Sequence, residues 1–407
     1  MSSQILSGIK VIELASVLAG PSIGTFLAEL GAQVIKVENI STDGDVTRKW
    51  KLPKESQETD ISGYFSCVNW GKTSLALDLT INEGLEIIYR LSDKADIILV
   101  SYKPGDAEKL KVDYNTLSKR NPRLIYAHIT GYGLDNPRAG FDAIIQAESG
   151  FIYMNGEPDG PPTKMPVALM DVLAAHHLKE AILLALLHRE RTGQGQHIEA
   201  SLFRAGVASL VNQATNWLVG KEIPKRLGSD HPNIVPYGTI FKTADQKEIV
   251  LAVGTEKQFA ELCEVLGVPQ LASDPKFSKN YYRVINKDEL KQIIQSRIAT
   301  FKRDEILRML DDKKVPAGGV FNMEEVFNLP ESKPMVMQAQ YANGQTIKGV
   351  RSIAFTTSNQ FAKGSLTPPP HYGENSREIL KNELNYSDQE IEKLIQNKVI
   401  YEYSGQK

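Results

Sequence analysis

The stretch KMPVALMDVLAAHHLKEAILLALLHRERTGQGQH, from Lys164 to His197, sets one carboxylate, Asp171, at the start of a long apolar helical run, with His176 and His177 just beyond it. An aspartate in that place has two chemistries open to it. As an N-cap it accepts a backbone N–H at the helix start. As a nucleophile it is kept ionised by the helix N-terminus, which also stabilises negative charge developing on an attacked carbonyl. Position alone leaves both open. The two histidines are neighbours, so on a helix they project about 100° apart and do not converge on one metal ion. One is expected to be packed and the other solvated, and no metal is expected.

Other chemistry-bearing patterns fail on spacing. GKTS at Gly71–Ser74 has Ser66 where a Walker loop needs its earlier glycine, and a strand-like run follows instead of a helix. GYGLDN at Gly131–Asn136 lacks the third glycine of a dinucleotide loop, and Pro137 interrupts the helix start. Cys67 and Cys263 belong to no CxxC pair and have no base beside them, and no GxSxG elbow occurs. A Ser or Cys nucleophile therefore has no local signature.

The elements that must position Asp171 alternate. KVIEL, GPSIGTFLAEL and AQVIKVE read as strand, helix, strand; TSLALDL, NEGLEIIYRLSDK, ADIILVS and, after Pro122, RLIYAHITGYG continue the pattern. Such alternation predicts an α/β fold, a Rossmann-like doubly wound parallel sheet covered by helices. The helix of Asp171 is expected to run to about Glu190 and stop at RTGQGQ, with HIEASLF as a further strand. Beyond the Gly, Pro and charge-rich LVGKEIPKRLGSDHPN, GTIFKTADQKEIVLAVG reads as a β-hairpin followed by helices to about Ile298. The expected division is a large domain over 1–224, a small α+β domain over 225–330, and over 331–407 a Pro-rich connector with one amphipathic helix returning to the large domain.

Composition bounds the function. The 407 residues hold 47 Lys plus Arg against 49 Asp plus Glu, a formal charge of -2, so no global field points to nucleic acid or to an acidic membrane. The start MSSQILSG has neither a basic n-region nor a long apolar stretch, and no segment of about 18 uncharged apolar residues follows. Two distant cysteines fit a reducing compartment. A soluble cytoplasmic protein is expected.

Five segments carry a resemblance: GIKVIELASVLAGPSIGTFLAELGAQVIKVE (Gly8–Glu38), NWGKTSLALDL (Asn69–Leu79), NPRLIYAHITGYG (Asn121–Gly133), GFDAIIQAESG (Gly140–Gly150) and the Asp171 helix itself. In this order and spacing the chain resembles the family III CoA-transferases, the CaiB/BaiF family, which also takes in the 2-methylacyl-CoA racemases. The resemblance implies that Asp171 is the nucleophile. It attacks a donor acyl-CoA to give a mixed anhydride, then carries CoA as an aspartyl thioester to an acceptor carboxylate. CoA and its thioesters are then substrates, with no permanently bound cofactor, and no general base is needed on a carboxylate already ionised.

Racemases of the family carry His before the Asp of GFDAIIQ. Here Phe141 precedes Asp142, and phenylalanine cannot exchange a proton, so transfer is favoured over racemisation. A non-catalytic CoA-binding paralogue is the alternative outside enzyme classes, and the retained Asp171 speaks against it. Phe141 and Asp142 are expected to line the substrate pocket. By positional match Ala19, Leu77, Tyr102, Lys103 and Lys109 are nominated for CoA, with Lys72 and Arg138 as further phosphate partners; Asn39 stands where several relatives have Arg. The glycine-rich lid of formyl-CoA transferases has no counterpart in RLGSDHPNIVPYGTIF. The resemblance further implies an interlocked homodimer. NWLVGKEIPKRLGSDHPNIVPYGTIFKT is most similar to the branch that uses succinyl-CoA with glutarate or hydroxymethylglutarate.

Overall fold

The computed structural model describes residues 4–358 and 364–405, so the first three residues of MSSQILSG fall outside it. The chain divides into two compact units. One holds the residues up to Ser149, Met165–Thr215 and everything from Pro334 onward; the other holds Gly150–Lys164 and Asn216–Lys333.

In the first unit the apolar runs become the parallel strands β1 (Lys10–Leu14), β2 (Gln33–Asn39), β3 (Lys72–Leu77), β4 (Ile97–Val100), β5 (Ile125–Thr130) and β6 (His197–Ser201). Their order is β3-β2-β1-β4-β5-β6, that of a doubly wound sheet. Ile12 of β1 lies between Ile35 of β2 and Ile98 of β4. The helices, in chain order, are α1 (Ala19–Glu29), α2 (Gly63–Ser66), α3 (Asn82–Ser92), α4 (Asp106–Lys109), α5 (Tyr114–Arg120), α6 (Asp142–Glu148), α7 (Phe151–Met154, in the second unit), α8 (Leu169–Thr192) and α9 (Leu202–Ala208). α1 and α8 pack together and over one face of the sheet. On the other face Ile12, Leu14, Ile98 and Val100 share a core with Ile87 and Leu91 of α3 and Leu117 of α5. Covered on both faces, β4 and β5 are buried at every position, which is why IILV is wholly apolar and IYAHIT nearly so, with His128 and Thr130 as its polar members.

The second unit is built on the expected hairpin, β7 (Tyr237–Lys242) against β8 (Glu248–Ala252), to which β9 (Ala317–Gly319) adds antiparallel. Its core gathers Phe241, Ile249, Leu251, Phe259, Leu262 and Phe277, with helices Glu256–Val265, Lys287–Ile298 and Arg303–Asp312. The unit begins at Asn216 rather than at 225 and also takes in Gly150–Lys164, whose GEPDGPP carries no apolar period to mark where it packs.

The chain from 331 on differs from a connector and one helix. A surface hairpin of β10 (Val336–Gln340) and β11 (Thr346–Val350) comes first, then helices Ser376–Leu384 and Asp388–Gln396. The last element, β12 (Ile400–Tyr401), pairs antiparallel with β3 and closes that edge of the large sheet. Among the described residues no helix is long and apolar enough to cross a membrane.

Candidate active site

Because β2 and β4 flank β1 on opposite sides, the loops leaving β1 and β4 diverge and a crevice opens at the carboxyl ends of the strands. It encloses about 280 Å³, and among its lining residues are Ser16, Asn39, Asp45, Leu77, Asp78 and Tyr102. Two nominated residues, Leu77 and Tyr102, thus share one cavity. Lys103 is exposed next to Tyr102. Lys109 is exposed at the end of α4, 2.9 Å from Asp106.

Ala19 opens α1 at the mouth of this loop, and its backbone N–H lies near enough to the Asp171 carboxylate to favour its ionised form. Asp171 is the third residue of α8, and the N-cap position is Ala168, which has no side chain able to cap. The capping reading of Asp171 therefore falls. The carboxylate that caps this helix is Asp142, on α6, which accepts the Met170 N–H at 2.9 Å. Gln146, fully buried, holds the approach: its amide donates to Asp142 at 2.8 Å and its oxygen accepts the Met165 N–H at 2.9 Å.

Two carboxyls at one helix start change the electrostatics. Burial pushes the Asp171 carboxyl up to about 7, and the charge of Asp142 adds to the rise; the amides of Ala19 and of the helix itself oppose it. At Asp171 desolvation and a like charge thus act against the ionising effect of the helix N-terminus. Tyr64 of α2 faces the same place: burial first, then the Asp171 charge, pushes its phenol up to about 12, so it stays a hydrogen-bond donor at neutral pH. Trp50 packs edge-on against Tyr64, ring centroids 5.1 Å apart. Sequence reasoning missed Tyr64 and Trp50, because a lone aromatic residue has no spacing to announce it.

The other nominated residues part company. Phe141 is 66% exposed at the N-cap of α6, beside Asp142. Arg138 lies on the surface, 2.6 Å from Glu148 and stacked on Tyr132. Lys72 as a partner for CoA phosphates is corrected. β3 turns it inward, where its ammonium meets Glu13 at 2.8 Å, Asn69 at 2.9 Å and the Pro21 carbonyl at 2.8 Å. Burial lowers that ammonium to about 8. α1 approaches Glu13 so closely that a Cβ on Gly24 would lie 1.9 Å from Glu13 Oε2, which only glycine avoids. His176 and His177 are both exposed, so the expected packed member of the pair is absent. Among the described residues no three His, Cys, Asp or Glu side chains are grouped to hold a metal ion.

Comparison with known proteins places this geometry. The profile of CoA-transferase family III matches residues 6–376. The succinate–glutarate CoA-transferase of Agrobacterium fabrum is 39% identical over 385 residues, 92% of this chain and 94% of its own length. The succinyl-CoA:glutarate CoA-transferase of Mus musculus is 36% identical over 403 residues, 98% of this chain and 91% of its own. The crystal structure of a CAIB/BAIF family protein from Brucella suis is similar with a TM-score of 0.83 at 37% identity, covering 94% of this chain and 100% of that one. With a match that spans the strand-end crevice, the Ala19 loop and the helix of Asp171 alike, the chain belongs to CoA-transferase family III and is an enzyme of that family.

Proposed function

We propose that the protein moves CoA from succinyl-CoA to a dicarboxylic acid such as glutarate, with Asp171 as the covalent nucleophile. The observation that carries this reading is a partly buried carboxylate near the first amide of α1, in a chain 39% identical to a succinate–glutarate CoA-transferase.

The reaction balances without an outside energy source. Asp171 attacks the thioester carbonyl, the C–S bond breaks, and CoA leaves as thiolate from a mixed anhydride. The thiolate attacks the aspartyl carbonyl and expels succinate, leaving CoA on Asp171. The acceptor carboxylate then attacks this thioester, and the same two steps in reverse order deliver CoA to the acceptor and free Asp171. The Ala19 amide favours the ionised carboxylate that attacks, and the Tyr64 phenol, protonated at neutral pH, is the donor proposed for oxyanions formed beside Asp171.

The adenosine end of CoA is assigned to the crevice of Leu77 and Tyr102, with Lys103 and Lys109 at its rim for phosphates. Phe141 and Asp142 border the acyl side. The enzyme works as a homodimer: α8 carries Leu183, Leu184 and Leu187 at 42%, 66% and 48% exposure, an apolar face that a second copy would cover. The cytoplasm suits its two free cysteines.

The test incubates the protein with succinyl-CoA and a panel of acids and follows new thioesters by mass spectrometry. Transfer to dicarboxylates is expected, together with a protein adduct of CoA that Asp171→Ala cannot form. Undiminished transfer by Asp171→Ala overturns the nucleophile, and no transfer to any dicarboxylate overturns the substrate class.

A further inference from the structure

The loop from β1 to α1 carries a conformation that its sequence disfavours. Val17 stands at φ +72°, in the left-handed region where a β-branched side chain is rarely found. Such a residue persists only where its surroundings over-determine it. Here the grip is a buried ion pair. The Asp45 carboxylate accepts the Val17 N–H at 3.3 and 3.4 Å. It is itself fixed by the Thr47 N–H at 3.0 Å, the Thr47 hydroxyl at 2.7 Å and the Lys36 ammonium at 2.9 Å. Lys36 also donates to the Ala15 carbonyl at 2.8 Å, so the pair holds the loop on both sides of Ser16. The chain doubles back so tightly that a Cβ on Gly20 would lie 2.4 Å from that of Ala15. Two residues after Val17 comes Ala19, whose amide lies near the Asp171 carboxylate.

We infer that Asp45 is a positioning residue for CoA transfer: with Lys36 it holds Val17 in the left-handed conformation that aims the Ala19 amide at the Asp171 carboxylate. This rests on the reading of Asp171 as nucleophile. Were Val17 to relax to an extended φ, the peptides that follow would rotate and the first N–H of α1 would leave α8. The nucleophile would then lose an amide that favours its ionised form. Such a loss falls on the chemical step, whereas Asp45 also borders the crevice, and a direct contact with CoA would be felt in substrate affinity alone.

The experiment is steady-state kinetics against pH on Asp45→Asn, on Asp45→Asn with Val17→Gly, and on Asp171→Ala. For Asp45→Asn the expected result is a kcat lowered tenfold or more with KM for acyl-CoA little changed. The acid-side midpoint of kcat should rise by half a unit or more, because the lost amide favoured the ionised form of Asp171; the groups that remain around it are Asp142 on α6, Tyr64 on α2 and the amide of its own helix start. Val17→Gly in that background should recover kcat at least threefold, since glycine takes positive φ without a grip. A raised KM with normal kcat and midpoint, or a double variant no better than Asp45→Asn, overturns the inference. If Asp45→Asn does not fold, Thr47→Val removes one hydroxyl bond to Asp45 at nearly constant shape; a smaller fall in kcat supports the inference and wild-type kinetics overturn it. Undiminished transfer by Asp171→Ala would overturn the nucleophile reading itself, while an inert Asp171→Ala beside a normal Asp45→Asn overturns only the role of Asp45.

Discussion

Asp171 and Asp142 meet at the start of α8, and the proton between bulk water and this pair is the residue-scale control on activity. With the Asp171 carboxyl near 7, kcat should fall as pH drops below that value. Asp142→Asn keeps an oxygen to cap Met170 but removes the neighbouring charge, so the acid limb of the pH–rate profile should move to lower pH. An unmoved limb sinks that coupling. Stability runs the other way. A carboxyl whose folded value is raised from 3.8 to about 7 binds more protons folded than unfolded between those values, so its contribution falls as pH rises through them. Asp171→Asn should therefore be more stable than the parent at pH 8, on the order of 2 kcal/mol after allowing for solvent screening, and equal to it near pH 3. Urea unfolding at both pH values checks this. Of these residues the sequence exposes Asp171 through its place before a long apolar run, and Asp142 through the segment around it. That Lys72 points inward does not show, because GKTSLALDL states the alternation of a strand without stating which face an ion pair occupies.

Among elements, β1 to β6 are legible because short apolar-rich runs alternate with helical ones, and α8 because a 24-residue helical run ends at Gly193, φ +77°. β12 is not, since two residues make no period and only the open edge of β3 gives them a partner. The second of the C-terminal helices hides for a local reason: Asn385, at φ +57°, breaks the run, and Ser387 caps a new helix in a reciprocal box with Glu390. β12 buries Ile400, and Arg377 ties Glu402 beyond it at 2.8 Å. Removing the chain after Lys398 should cost about 3–6 kcal/mol, from the buried Val399 and Ile400 and the lost ladder, and should promote association through the bared edge. Denaturant unfolding and light scattering of the truncated chain measure both. Lys72→Ala tests the same sheet from within: it leaves Glu13 with Lys36 as its remaining cationic partner, at 3.2 Å, so a loss of about 1–3 kcal/mol of stability is expected, where a phosphate ligand would raise KM for CoA and leave stability alone.

At the scale of the molecule, α8 exposes Leu183, Leu184 and Leu187, and Leu184 sits where a second copy is proposed to pack. Leu184→Arg should shift sedimentation from dimer to monomer and lower transfer with it; a dimer that survives this change places the interface elsewhere. The first unit is assembled from three stretches of sequence, and its sheet is finished by the last strand of the chain. That order has a consequence during synthesis. β3 ends at Leu77 and its edge partner begins at Ile400, so at ordinary elongation rates of roughly 5–20 residues per second the edge waits for tens of seconds. For that interval the nascent chain presents an unpaired strand to every other nascent chain nearby. The half-made protein, more than the finished one, is the form that needs a chaperone, and expression at lower temperature or slower initiation should raise the soluble yield.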